Sequence, residues 1–471
     1  MEASSSSPYF GYLVLLAVVV AALVYLIQQA QANASSERVI VTAEFASFQR
    51  NYCRAFLCAL ACEWLQNSHL FVLLRTRGLS TQRIAEIFAA GYVASWACGV
   101  LGEVADQLGR RRNCMLCFVL FALSSLSVHS SFFSVLVMGR VMAGVASSLL
   151  QTVFDSWMLA EHYNFAYPDE WLAQTYQQVA SGTTIVAVGA GLVSEAAAAL
   201  GGISGPFDVS LVLALSGLAL VMLTWTRENF AAPVTIAGFC DALGRSANAI
   251  QSSHHVFYLV ILQACFEAAI HIALFMWVPV LYTSAAALGG SGALDTVVAA
   301  AAGADAGAAS AAPPPFGVIF SMFMSSVMLG SYWFQLVAAR GTRTVEELGR
   351  LACVTASVAM VVLAAVQSRA LVLLAFLVFE VCKGVYYPVV GTLRGQYIPM
   401  EVRTIISQCS KPVLGAAVLV LLLNFAELSS IIFVLCAVLL SMAAWCQHQL
   451  IESKAVPDGS SAAVGGEVVH T

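Results

Sequence analysis

The chain has 471 residues, 60% of them hydrophobic and 10% charged, with a mean hydropathy of +0.84. A soluble domain carries roughly a quarter charged residues, so that class is excluded; the formal net charge of −5 says little beside its distribution among the loops, and no nucleic-acid face is visible. Apolar runs of about 20 residues, separated by short polar breaks, predict an all-α polytopic protein in a lipid bilayer, where helices satisfy their own backbone groups.

The first apolar run covers residues 9–28 and leads into a polar segment that holds the sequon Asn33-Ala34-Ser35. Cleavage after Ala34 is one reading; the uncharged start and the length of the run favour a retained extra helix, with the sequon in the cytosol. Residues 1–51 thus read as an N-terminal apolar helix and polar linker. Twelve further spans follow by length: 52–74, 84–102, 113–129, 131–157, 171–198, 208–225, 256–283, 316–338, 350–367, 370–391, 404–424 and 429–449. The first six form a unit at 52–225 and the last six a unit at 256–449, with a cytosolic linker at 226–255 between them. Residues 284–315 are rich in Ala and Gly and end in Pro313-Pro314-Pro315, as a flexible external loop does. Residues 450–471 read as a disordered cytosolic tail.

Between the second and third runs lies a charged hinge, Gly102–Arg112, reading GEVADQLGRRR. Arg110, Arg111, Arg112, Arg227, Arg245, Arg340, Arg343, Arg350, Arg394 and Arg403 share its side of the membrane, against Arg75, Arg77 and Arg369 on the other, so the positive-inside rule places the hinge in the cytosol. The thirteen cysteines avoid the external loops, and Cys114 and Cys117 form no pair of pairs; they read as small buried residues, with no metal site.

The two units echo one another. Ala61-Cys62-Glu63 resembles Ala264-Cys265-Phe266-Glu267, and Arg140-Val141-x-x-Gly144-Val145 meets Glu380-Val381-x-x-Gly384-Val385 at an offset of 240. At an offset of 232, Gly109 meets Gly341 and Arg111 meets Arg343, while Asp106 meets Ala338. Matches in the same order and orientation suggest a parallel six-plus-six duplication, a pattern of transporters.

The frame Gly102-x-x-x-Asp106-x-x-Gly109-Arg110-Arg111 resembles the loop motif of the major facilitator superfamily. Within it the chain is similar to the molybdate-anion transporter family, through Glu63-Trp64-Leu65-Gln66, Gly139-Arg140, Phe154-Asp155-Ser156-Trp157, Ala160-Glu161-His162, Glu170-Trp171-Leu172, Phe266-Glu267 and Trp277-x-Pro279-Val280-Leu281, over about Phe48 to Gln447. Asp155 departs from the glutamate expected there, and 284–315 is private to this chain. The fifth core helix has Gly182, Gly189 and Gly191 instead of a Gly-Pro pair, unlike drug/proton antiporters. The resemblance implies two six-helix bundles plus the extra N-terminal helix, and secondary transport of molybdate or a related oxyanion by alternating access.

A charge at mid-bilayer costs roughly 2.5–3.5 kcal/mol on insertion scales, so each one retained needs a partner, a cavity or a task. Arg140, in a Gly-Arg-x-x-x-Gly stretch, offers a planar fork to an oxyanion; the alternative is a permanent salt bridge to Glu63 or Asp155. Glu380 and Lys383 are one turn apart and can pair locally, or Lys383 can be left for the anion. Glu63 and Glu267, both near half depth, suit proton carriage, or a structural hydrogen bond from a neutral carboxyl. His271 follows Glu267 by one turn. Asp155 with Ser156 and Trp157, and Glu161 with His162, sit where a gate would. Glu195 reads as an end residue that snorkels, and Lys411 precedes Pro412 at a predicted kink.

The expected carrier therefore binds its anion through Arg140 and Lys383, with Glu63, Glu267, Asp155 and Glu380 in the site, and gates through Gly102, Asp106, Gly109, Arg110 and Arg111. It works as a monomer in the plasma membrane, with protons as the candidate co-substrate. No cofactor is expected, because no nucleotide loop of the Gly-x-x-x-x-Gly-Lys type is present, and no Ser/His/Asp or metal-ligand set suggests an enzyme. The alternatives are a carrier of sulfate or a sugar, and a transport-inactive scaffold or receptor of the same fold.

Overall fold

Long apolar runs with few internal breakers leave the backbone one option in lipid, and the chain takes it throughout. In the computed structural model, residues 8–33, 42–100, 109–230, 236–286, 314–399, 402–403, 405–407, 415, 418, 423–424 and 429–455 are described. Among them the regular elements are helices: α1 Pro8–Asn33, α2 Ala43–Thr76, α3 Thr81–Val100, α4 Arg110–Ser127, α5 Phe133–Asn164, α6 Asp169–Gly201, α7 Gly205–Thr224, α8 Ile236–Ser252, α9 His254–Ala286, α10 Phe316–Ala339, α11 Val345–Ala365, α12 Arg369–Tyr397 and α13 Ser429–Ala455.

Two local departures from the sequence reading have clear causes. Helix α2 starts nine residues before the apolar run begins, because Thr42 caps it, its hydroxyl accepting the Phe45 N–H at 3.3 Å, and Phe45 is buried among Tyr167, Trp171 and His162. The linker between the two bundles contains α8, whose apolar residues fall on one helical stripe; a net-polar composition concealed that period. The expected loop 284–315 and the span 404–424 lie largely outside the described residues.

The bundles are built alike. Packing of α3 on α5, α4 on α7 and α2 on α7 in the first recurs as α10 on α12, α11 on α13 and α9 on α13 in the second. The closest crossings sit at matching glycines: a Cβ on Gly144 would strike the Gly91 carbonyl, and one on Gly384 would strike the Val327 carbonyl beside Gly330. Gly109 and Gly341, paired in the sequence echo, both take left-handed φ, +106° and +63°.

The seam between bundles closes at one end. We call the side carrying Gly109–Arg112 the hinge face. The hydrogen bonds and ring contacts seen between described residues of the two bundles lie at mid-depth or towards the opposite face: Tyr92 Oη to the His271 carbonyl at 3.3 Å, Phe71 and Phe88 on Phe275, Trp96 on His271, Gln82 to the Leu423 carbonyl, Ser321 to the Val188 carbonyl at 2.8 Å, His69 on Phe316, and Glu195 to Gly317 at 2.7 Å. Helix α1 stands outside this arrangement against α10, with Leu16 and Leu23 buried and Tyr12 under the Arg369 guanidinium at 6.0 Å. Since Arg369 begins α12 on the face opposite the hinge, α1 ends, at Asn33, on the hinge face.

Candidate functional site

Helix periodicity brings the candidate charges together. Ser147 stands two turns beyond Arg140 on α5, and its hydroxyl donates to the Glu63 carboxylate on α2. Both residues lie about 20 Å along their helices from the face opposite the hinge, at 1.5 Å per residue. Arg140 is about 10 Å from that end of α5. Its stem crosses Gly91 of α3, where a Cβ would sit 2.9 Å from Arg140 Cγ, so the glycine makes the channel through which the side chain runs. The guanidinium lies over the Phe88 ring at 5.2 Å and its buried Nε has no hydrogen-bond partner. It feels the charge of Glu63, yet among the described residues no carboxylate comes within ion-pairing distance of it. A small cavity lined by Gln66, Leu70, Ser124, Arg140 and Phe207 opens beside it.

Neither salt bridge considered for Arg140 forms. Asp155 instead accepts the Tyr176 hydroxyl at 2.8 Å. Across the seam, Lys383 pairs with Glu380 one turn away on α12, both side chains about a tenth exposed. The structure thus takes the local-pair alternative for these two, and the Lys383 charge is engaged. Tyr387, on the next turn, is within electrostatic reach of Glu63 in the first bundle as well as of Glu267 and Glu380 in its own.

Glu267 has a different setting from its sequence counterpart. Its Oε1 accepts from Gln263 Nε2 at 3.0 Å and Tyr386 Oη at 3.5 Å, and stands 3.7 Å from Arg394 Nη2. Arg394 also donates from Nε to Gln263 Oε1 at 3.1 Å. His271 donates locally, from its Nδ1–H to the Glu267 carbonyl at 2.7 Å. Sequence reading missed Ser147, Gln263, Tyr92 and Arg394; the first two were legible, since each repeats on the face of a charged residue at a helical interval.

On the hinge face, the described part of the motif is held by residues that the motif does not contain. Glu228 accepts the Arg111 N–H at 2.8 Å and faces Arg112 Nε at 3.8 Å, while Arg110 N–H donates to the Asn229 carbonyl at 2.9 Å. Asn229 Nδ2 donates in turn to Glu161 at 3.0 Å, and Trp157 stacks on Trp225 with centroids 3.5 Å apart. Gly109 admits this close fit, because a Cβ there would meet Glu228. Gly102, Asp106 and Lys411 lie outside the described residues.

Comparison with known proteins follows the same lines. A family model described as sugar transporters with twelve transmembrane segments matches residues 9–379. The molybdate-anion transporter of Xenopus tropicalis is 28% identical over 379 residues, covering 78% of this chain and 76% of the relative. That of Danio rerio is 28% identical over 403 residues, with 78% and 77% covered. Among solved structures the nucleoside transporter NupG superposes with a TM-score of 0.63 at 11% identity, over 86% of this chain and 99% of that one, a likeness of fold alone.

Proposed function

The chain belongs to the major facilitator superfamily, in the family of the molybdate-anion transporters, and from that membership we propose that it is a secondary carrier of a tetrahedral oxyanion, molybdate first. One observation carries the reading: Arg140 is a membrane-embedded guanidinium with a buried Nε that has no partner and, among the described residues, no carboxylate at pairing distance. A desolvated fork without a partner is a standing cost, offset when two oxygens of an anion accept its N–H groups side by side.

Glu63 completes the reading. A dianion entering beside an ionised carboxylate would meet repulsion; a proton on Glu63 removes it and lets Ser147 and the acid both act as polar contacts. The oxyanion then arrives with a proton, and the bundles rock about the loaded site. Positive-inside charge supports a cytosolic hinge face, in a plasma-membrane monomer. The closed seam opposite the hinge fits the inward-facing member of the cycle.

The test is uptake of labelled molybdate into proteoliposomes with and without an inward proton gradient. The gradient is expected to raise the initial rate several-fold for the wild-type chain and to leave Glu63→Gln unaffected. An equal response of both would remove Glu63 from the coupling. A second reading, a neutral sugar cargo, rests on the description of the matching family model; competition by sulfate but not by hexoses in the same vesicles decides against it.

A further inference from the structure

Helix α10 is entered through Pro314-Pro315 and begins Phe316-Gly317, and its N-cap, Pro315, supplies no side-chain hydrogen bond. A helix start leaves its first N–H groups without partners, at the positive end of the dipole. Here the missing acceptor comes from the other bundle. Glu195, near the end of α6, accepts the Gly317 N–H at 2.7 Å. This is not the end residue snorkelling to water that the sequence suggested. The carboxylate is backed by His69 of α2, 3% exposed, whose Nε2 is 3.8 Å from Glu195 Oε2 and whose Nδ1 is fixed by Ser194 at 2.9 Å and Ser68 at 3.0 Å.

The surrounding surface is shaped for this contact. Gly191 of α6 and Gly317 of α10 meet backbone to backbone, so that a Cβ on either would strike the other's carbonyl. Ser321, one turn further, donates to the Val188 carbonyl at 2.8 Å. Three consecutive turns of α6 thus hold the first two turns of α10, at the face opposite the hinge. We propose that Glu195 is the latch of that mouth: it serves as the N-cap of a helix in the opposite bundle, and the bond must be released each time the mouth opens. The device is economical, since separation strips α10 of the Glu195 acceptor and exposes an acid at once, so the closed and open arrangements differ by a discrete set of bonds and not by a gradual slide.

The test reads geometry and needs no cargo, which separates its failure from failure of the oxyanion reading. Spin labels are placed at Ser131→Cys and Gln367→Cys, exposed positions in loops of the two bundles on the latch face, in the full chain carrying Cys240→Ser to remove an exposed thiol. Pulsed dipolar spectroscopy in detergent is expected to show one short-distance population with Glu195, and an added population several ångströms longer with Glu195→Ala. Glu195→Gln, which keeps shape but loses the charge that favours the helix end, is expected to show the longer population in smaller amount. If Glu195→Ala does not purify as a single species, Glu195→Gln decides. Distance distributions identical to the parent in the variants that purify would overturn the latch.

Discussion

Arg140 and Lys383 show what a single charge in a membrane requires. Both were candidates for an anion, yet Lys383 has a carboxylate one turn away and Arg140 has an aromatic face, a glycine channel and no ion pair among the described residues. Removing one member of a buried pair costs about 3–5 kcal/mol, whereas replacing both with neutral groups of similar size costs little. Lys383→Met alone is therefore expected to lower the unfolding temperature of the purified protein sharply, and Lys383→Met with Glu380→Gln to recover most of the loss. A double variant as unstable as the single one would show that Lys383 has a different role. Sequence spacing offered the local pair as one of two readings; it could not choose, because the choice depends on whether a second carboxylate reaches Lys383 from across the seam.

At the scale of elements, helix existence and order were legible in the apolar runs, and the duplication was legible in Gly144/Gly384 and Gly109/Gly341, which recur as tight crossings and left-handed turns. What was not legible was relative placement. Nothing in the Glu195 neighbourhood of the sequence indicates that α10, more than 100 residues later, arrives with an N-cap, Pro315, that makes no side-chain hydrogen bond. The same holds for α1: its run is uniform in apolarity, so no face marks the side that meets α10. In lipid such a helix gains little from hiding apolar surface, and its docking rests on packing and on the Tyr12–Arg369 contact, the latter worth about 0.5–1 kcal/mol at exposed sites. Deleting residues 1–33 is accordingly expected to lower the melting temperature in detergent by a few degrees without loss of the folded carrier. An unchanged melting temperature would make α1 a passenger on α10.

At the scale of the whole molecule, the parts form one machine. The closed latch at Glu195–Gly317 and the Tyr92–His271 contact at mid-depth lie along one seam between the bundles, while Glu228 holds the start of α4 to the chain that leaves α7 within the first bundle. The Arg140 guanidinium, without an ion pair among the described residues, and the hydrogen-bonded Glu63 carboxyl lie beside the seam, where a bound anion would join the two bundles. Cargo is the element that architecture leaves open, since the same fold with 11% identity carries a nucleoside transporter; it has to be argued from Arg140. The most direct measurement is initial-rate uptake of labelled molybdate by cells that express the chain, the Arg140→Ala variant at matched surface level, or neither. Saturable uptake by the wild-type chain, reduced by sulfate and at least about ten-fold lower with Arg140→Ala, a loss of about 1.4 kcal/mol or more, is the predicted result. Wild-type uptake no greater than that of cells without the chain, or full uptake by Arg140→Ala, would contradict the account.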